Sequence, residues 1–401
     1  MSIQPPTVQT LESPNVLSTK EPWIHLGHAN VSHRTALICV SAFLSGIGLL
    51  SIYASSSIPA AQNIGNDLAF VQKQAAVAFL GFLLVFAIGH LPFKWIERLA
   101  IPSLLLSLVL MILVFVPGFE GRAKGASRWI LLFGFTIQPA EFCKLAVILF
   151  LARNLSRPKS NPELFLHGVL PNLVVSGLFS VLLMLQPDFG STSLILFLTV
   201  TMLYVAGLPY RFLTMFFGLG VVVFIAALLT APYRLARLLV FLDPWSDARA
   251  GGFQIIQSYL GFQNGGVWGV GLGESKQKLF FLPEAHTDFI LSVIGEEFGL
   301  FGVLLICACF AYMVFLGLRI TLAQDDTYRQ FLAFGLTMLI GVQAALNMGV
   351  TMGLLPTKGM TLPLVSNGSN SLIVFLIAIA ILARISQESA DIPSKAIAKL
   401  E

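Results

Sequence analysis

The sequence predicts an all-α polytopic integral membrane protein of about ten transmembrane helices. Both termini are expected to be cytoplasmic, with one large extracytoplasmic loop between spans seven and eight. Three observations carry this expectation. Of 401 residues, 56% are apolar and only 11% charged, against about 25% charged in a soluble domain. Mean hydropathy is +0.84. Apolar runs approaching the ~20 residues that a crossing needs recur along the chain.

The first 34 residues are polar and hold Pro5, Pro6, Pro14 and Pro22. No apolar core directly follows a charged start, so this stretch reads as a cytoplasmic tail, not a cleaved signal peptide. Spans are expected at 35–54, 75–91, 99–116, 139–155, 166–185, 190–206, 212–231, 287–318, 331–355 and 371–385. The eighth is too long for one straight crossing, so it tilts or begins outside the hydrocarbon. The chain thus divides into a tail (1–34), a ten-helix membrane domain (35–386) with its outer loop at 232–286, and a cytoplasmic tail (387–401). Lys20 and Arg34 precede the first span, and nothing basic follows until Lys73. Positive residues favour the inner side, which orients the chain in the cytoplasmic membrane.

Several classes are excluded or disfavoured. A net charge of +4 with scattered basic residues gives no footprint for nucleic acid. Cys39, Cys143, Cys307 and Cys309 lie in apolar runs without CxxC spacing, which implies neither disulfides nor a metal site. No inner loop carries GxxxxGK[ST], so no P-loop is present. No internal duplication is visible, which speaks against an inverted-repeat transporter.

Polar residues collect in three outer segments, 118–138, 233–285 and 356–370. Asp288 sits where the second of these enters span eight. Ser292, Gly295 and Gly299 follow it at helical spacing, a small-residue stripe that either lines a groove or lets another helix pack closely. A carboxylate at the membrane edge suits a general base; an Asp here is equally suited to capping the helix. Glu296 and Glu297 lie deeper and mark either a proton path or a buried structural pair. On span four, Glu141 and Lys144 share a face three residues apart. An internal ion pair is the simpler reading, and Lys144 as a phosphate ligand the sharper one. Arg122, Lys124, Arg128, Arg234, Arg237, Lys276, Lys278 and Lys358 all fall on the outer side, against the positive-inside trend. They are either solvated surface or ligands for an anionic lipid phosphate. Glu284, His286 and Asp288 converge on a metal only if that segment is extended, so the metal ligands stay unassigned.

Specific motifs then resemble the SEDS family (shape, elongation, division and sporulation) of bacterial cell-wall polymerases, over nearly the whole chain after residue 35. They are GASRWI from Gly125, QPAEFCKL from Gln138, QPDFGS from Gln186, PYRLAR from Pro232, GLGESKQKLFFLPEAHTDFILSVIGEE from Gly271, and NMGVTMGLLPTKGMTLP from Asn347. The PTKG form and the HTDF context look more like the division (FtsW-like) branch than the elongation branch. The resemblance implies ten transmembrane helices and an outward-facing cavity. It implies a glycosyltransferase that polymerises lipid II at the outer face and releases undecaprenyl pyrophosphate, in septal wall synthesis. The family's essential acid falls on Asp288, its Glu–Lys pair on Glu141 and Lys144, and its loop tryptophan on Trp129. Trp129, Lys144, Arg234, Lys278 and Lys358 become the expected substrate-binding residues. A divalent cation (Mg or Mn), a class B penicillin-binding protein, other divisome proteins and membrane lipids are implied as cofactor and partners. A lipid II flippase and a non-catalytic scaffold for the transpeptidase are the alternatives. One departure stands out: the family's SYGGSS near the last span is SNGSNS here, Ser366 to Ser371.

Overall fold

The computed structural model describes residues 32–118, 120–123, 126–132, 135–157, 165–229, 232–249, 251–275 and 286–397. The predicted N-terminal tail, apart from its last residues, lies outside them. Twelve α-helices are present among the described residues: α1 (His33–Ile64), α2 (Ala69–His90), α3 (Phe93–Leu113), α4 (Pro139–Leu155), α5 (Leu170–Leu185), α6 (Phe189–Val205), α7 (Tyr210–Leu229), α8 (Pro232–Leu242), α9 (Phe253–Gly265), α10 (Ile290–Leu322), α11 (Thr327–Thr351) and α12 (Ser369–Ile397). Each of the ten expected spans falls on one of α1–α7 or α10–α12. Among the described residues seven segments are long and apolar enough to cross a membrane: those on α1, α2, α3, α5 with the π-turn before it, α10, α11 and α12. The last helix runs through Ile397, so most of the expected C-terminal tail continues it.

Helix α4 is the buried centre. Thirteen of its seventeen residues are buried, and it contacts α3, α6, α11 and α12. By contrast α2 and α3 bury little of their apolar surface and form the lipid-facing rim. Where helices meet, glycine removes the side chain that would hold them apart. A Cβ on Gly317 would strike Thr337, and one on Gly335 would strike Ile148 and Met202.

Two features depart from the sequence reading. Most of the described residues of segment 118–138 form a three-stranded antiparallel sheet, β1 (Glu120–Ala123), β2 (Ala126–Leu132) and β3 (Phe135–Ile137). The all-α expectation is corrected to that extent. Backbone at a membrane edge must still pair its N–H and C=O groups, and a hairpin does so within one short segment. The second departure is in the long segment between the seventh and eighth expected spans, which carries α8, a 3₁₀ turn (Pro244–Asp247) and α9.

The loop after α9 inserts its backbone into a break in α10. Gly299 there has φ +64, so the helical ladder is interrupted. Val270 N donates to Glu296 O (2.9 Å), Gly271 N to Glu297 O (3.1 Å), and Leu300 N to Gly266 O (3.0 Å). Loop and helix satisfy each other's orphaned groups. The carboxylates take part as well: Ser275 Oγ and Asn264 Nδ2 donate to Glu296, and Gly273 N donates to Glu297 Oε1 at 3.0 Å. Glu296 and Glu297 are therefore structural anchors of the loop, the second of the two readings above. Gly299→Ala would force an L residue into the left-handed region and drive its Cβ into the backbone of Val267 and Gly269. The expected cost is about 3 kcal/mol, read as a lower melting temperature in detergent.

Candidate functional site

The site is assembled at one end of the bundle, where the α3–α4 sheet, the α5–α6 turn, the start of α10 and the α11–α12 connection meet. Asp188 opens α6 as its N-cap, accepting from Ser191 N (3.0 Å) and Ser191 Oγ (2.7 Å). Gln186 Nε2 donates to Met111 O (3.1 Å) at the end of α3. Arg128 Nε, from β2, donates to Gln186 O (3.0 Å). These bonds fix the sheet to the helix ends. Trp129 lies on β2 opposite Gly121 and is half-buried.

Asp288 stands two residues before α10 and is half-buried. The helix N-cap is Phe289, and no side chain caps the helix there; the capping alternative is not realised. Two donors from α11 hold the Asp288 backbone carbonyl, Asn347 Nδ2 at 2.9 Å and Thr351 Oγ1 at 3.4 Å. Asn347 Nδ2 also donates to Met360 O at 2.6 Å. One amide thus ties the Asp288 turn to the segment between α11 and α12. The Asp288 carboxylate lies against Gly359, where an added Cβ would sit 3.4 Å from Oδ2.

Lys358 is the next residue back. Its Nζ donates to Ser193 Oγ at 3.4 Å and lies 5.7 Å from the Phe189 ring centroid. Burial pushes its pKa below the usual lysine value, because a desolvated ammonium is disfavoured. His286 packs its ring on Phe70 (5.2 Å between centroids), and its carbonyl accepts from Asn367 N at 2.9 Å.

Beneath this surface Lys144 is 1% exposed, and its Nζ donates to Glu141 Oε1 and Gln343 Oε1, both at 2.7 Å. Gln343 Nε2 donates in turn to Thr361 O at 3.1 Å. The buried pair is therefore linked to the same connection that carries Lys358 and Gly359. In this arrangement Lys144 is an internal ion-pair partner, covered from any ligand at the surface.

The connection itself is tightly determined. Leu364 is a buried non-glycine residue at φ +65, a conformation that costs about 1–2 kcal/mol. It is held by Leu362 N donating to Ser366 Oγ (2.9 Å) and Ser366 N to Leu362 O (3.0 Å). The divergent SNGSNS segment belongs here. Asn370 Nδ2 donates to Thr136 O at 3.0 Å, joining α12 to β3. Its side chains make specific bonds around the site and leave the Asp288 turn in place.

Ser292 and Gly295, from the expected small-residue stripe, do not line an open groove. Ser292 Oγ donates to Ser258 O (3.1 Å), and a Cβ on Gly295 would strike Phe262, so both pack against α9. Arg234 falls on α8, its side chain outside the described residues, as are Lys278 and Glu284. Among the described residues no three His, Cys, Asp or Glu side chains gather to hold a metal ion. Asn347, Gln343 and Thr351 were missed as site residues. They form an i, i+4, i+8 polar stripe within an apolar span, a pattern that by itself marks a face turned toward protein.

Asn347→Ala should leave the Met360 carbonyl without its donor and the Asp288 carbonyl with only the longer bond from Thr351. We expect a loss of about 1–3 kcal/mol of stability and a fall in turnover of about 10²-fold from a misplaced carboxylate. Melting and turnover of the same preparation measure both.

Geometry and composition together define a multi-pass helical membrane protein with its polar groups gathered around one acid at one end. The cell cycle protein family of FtsW, RodA and SpoVE matches residues 34–391. The chain belongs to this family, the SEDS family. A probable peptidoglycan glycosyltransferase FtsW of Geobacter metallireducens is 41% identical over 357 residues, covering 89% of this chain and 95% of that protein. Stage V sporulation protein E of Bacillus subtilis is 36% identical over 353 residues, 88% of this chain and 96% of that one. Among solved structures, the rod shape determining protein RodA of Thermus thermophilus aligns with TM-score 0.65 at 26% identity, over 88% of this chain and 96% of that one. A chain from a peptidoglycan synthase complex, studied for how polymerization and crosslinking are coordinated, aligns with TM-score 0.74 at 28% identity, over 88% and 97%.

Proposed function

We propose that this chain is a peptidoglycan glycosyltransferase that polymerises lipid II into glycan strands for septal wall synthesis. The names of its curated relatives support the reaction class. The observation that carries the mechanism is the half-buried Asp288, whose backbone is clamped by Asn347 and whose carboxylate lies against Gly359. In this reading the membrane domain crosses ten times, both termini are cytoplasmic, and the Asp288 end faces outward.

Asp288 takes the proton from the acceptor sugar's 4-hydroxyl as that oxygen attacks the donor's anomeric carbon. The new glycosidic C–O bond forms as the bond to the donor's pyrophosphate breaks, and undecaprenyl pyrophosphate leaves. Lys358, with Arg234 and Lys278 from the outer loop, holds the pyrophosphate charge. Trp129 supplies an aromatic face for a sugar ring. A class B penicillin-binding protein is the proposed partner; one relative by structure comes from a peptidoglycan synthase complex.

The test is the purified chain in liposomes with lipid II, with and without that partner, and glycan strands separated on a gel. Strands of many disaccharides are expected. Lipid crossing the vesicle bilayer with no polymer under either condition would overturn this reading in favour of transport.

A further inference from the structure

The opposite end of the bundle holds a polar cavity that the reaction at Asp288 does not use. Its volume is about 720 Å³, and it lies between the starts of α3 and α11 and the lower half of α12. Three cations from these three elements converge on it: Lys94, Arg329 and Arg384. Two of them are held in place by the fold. Arg384 Nε donates to Leu91 O at 2.9 Å, and the Arg329 guanidinium lies 4.9 Å from the Phe93 ring centroid. Phe93 in turn packs edge-on to Tyr328, 5.7 Å between centroids, and both are buried. The floor is therefore built of packed, buried rings.

Two acids, Glu97 and Asp326, also face the cavity. Asp326 is occupied as the cap of α11, accepting from Arg329 N at 2.9 Å. The Thr327 hydroxyl adds a neutral donor, whereas that of Ser156 already donates to Arg153 O at 3.1 Å. Cations with a hydroxyl in a concave site fit a phosphate group.

The rim decides the source of that phosphate. Leu91 and Trp95 flank the lining residues and are exposed, and the Arg98 guanidinium lies over the Trp95 ring at 5.6 Å. Exposed tryptophan beside arginine belongs at the headgroup level of a bilayer. Basic pockets between helices on the cytoplasmic side suit anionic lipid headgroups. We propose that this cavity binds the phosphate of an anionic glycerophospholipid in the leaflet opposite the Asp288 site.

The experiment is native mass spectrometry of the detergent-solubilised full chain, titrated with phosphatidylglycerol, phosphatidylcholine or inorganic phosphate. Wild type is expected to retain phosphatidylglycerol in clear preference to phosphatidylcholine. Affinity should fall about fivefold for each cation removed in Lys94→Gln and in the double variant with Arg329→Gln. Lys73→Gln, at the other end of the bundle, should match wild type. Equal retention of the two lipids, or unchanged retention in Lys94→Gln, would overturn the proposal. Displacement of the lipid by millimolar inorganic phosphate would also overturn it, reducing the cavity to a general anion site. Lys94 is exposed, so the single variant carries the test even where the double variant fails to fold. None of these readouts depends on polymerising activity.

Discussion

Asp288→Ala is expected to lower glycan polymerisation about 10²–10⁴-fold, the range lost when a positioned general base is removed. Its melting temperature should stay close to that of wild type. Both halves follow from the geometry. Asn347 and Thr351 bind the backbone carbonyl of Asp288, so these two bonds survive loss of the side chain. The carboxylate also does not cap α10, whose N-cap is Phe289, so no helix end is exposed. Asp288→Asn keeps the shape and removes the base, and should be about as inactive as the alanine variant. Asp288→Glu moves the oxygens by one methylene and should recover only part of the rate. Polymerisation in liposomes, with melting followed on the same preparations, measures all three. Full activity in Asp288→Asn would sink the proposed mechanism.

The second large effect is expected at the buried pair. Lys144→Met removes the cation and leaves the Glu141 carboxylate uncompensated in the interior. Breaking a buried pair by removing one partner costs about 3–5 kcal/mol. The site is as enclosed as that figure requires, since both side chains are buried and Lys144 Nζ bonds Glu141 and Gln343 at 2.7 Å. Removing both charges together, as Glu141→Gln with Lys144→Met, should recover most of the loss, because no unpaired charge then remains. Thermal unfolding in detergent gives the cycle directly. A pair whose single and double variants cost the same would show that charge compensation is not what the two residues supply. Gln343 links this pair to Thr361 O, so the single variant should also loosen the connection bearing Lys358 and lower activity.

Much of this protein is legible from periodicity and charge. The ten helical segments follow from apolar runs, because the bilayer imposes one length and one way to satisfy the backbone. Asp288 was legible as a candidate, since it ends a polar segment at a span and the motif resemblance falls on it, with the helix cap an even alternative by position. Its alternative, the helix cap, was not resolvable by position: the helix begins one residue later than the pattern implies. The Glu141–Lys144 pairing was legible because spacing along one helix is a local property.

The rest was decided between segments far apart in the chain. Nothing local says that Asn347 bonds the carbonyls of Asp288 and Met360, or that Gln343 couples Lys144 to Thr361. The break at Gly299 was equally hidden. A glycine in an apolar span reads as a packing residue until a second loop is seen to fill the gap. The sheet at 118–138 was missed because its strands are short and their pattern weak.

By itself, then, the sequence determined the membrane class, the helical segments, the acid at residue 288 and the ion pair on α4. These rest on local spacing and on the solvent the chain must meet. Only the tertiary structure decided how that acid is held, what Glu296 and Glu297 do, and where the cations of the cavity at the opposite end converge. Those depend on hydrogen bonds and close approaches between distant segments, which packing sets and periodicity does not encode.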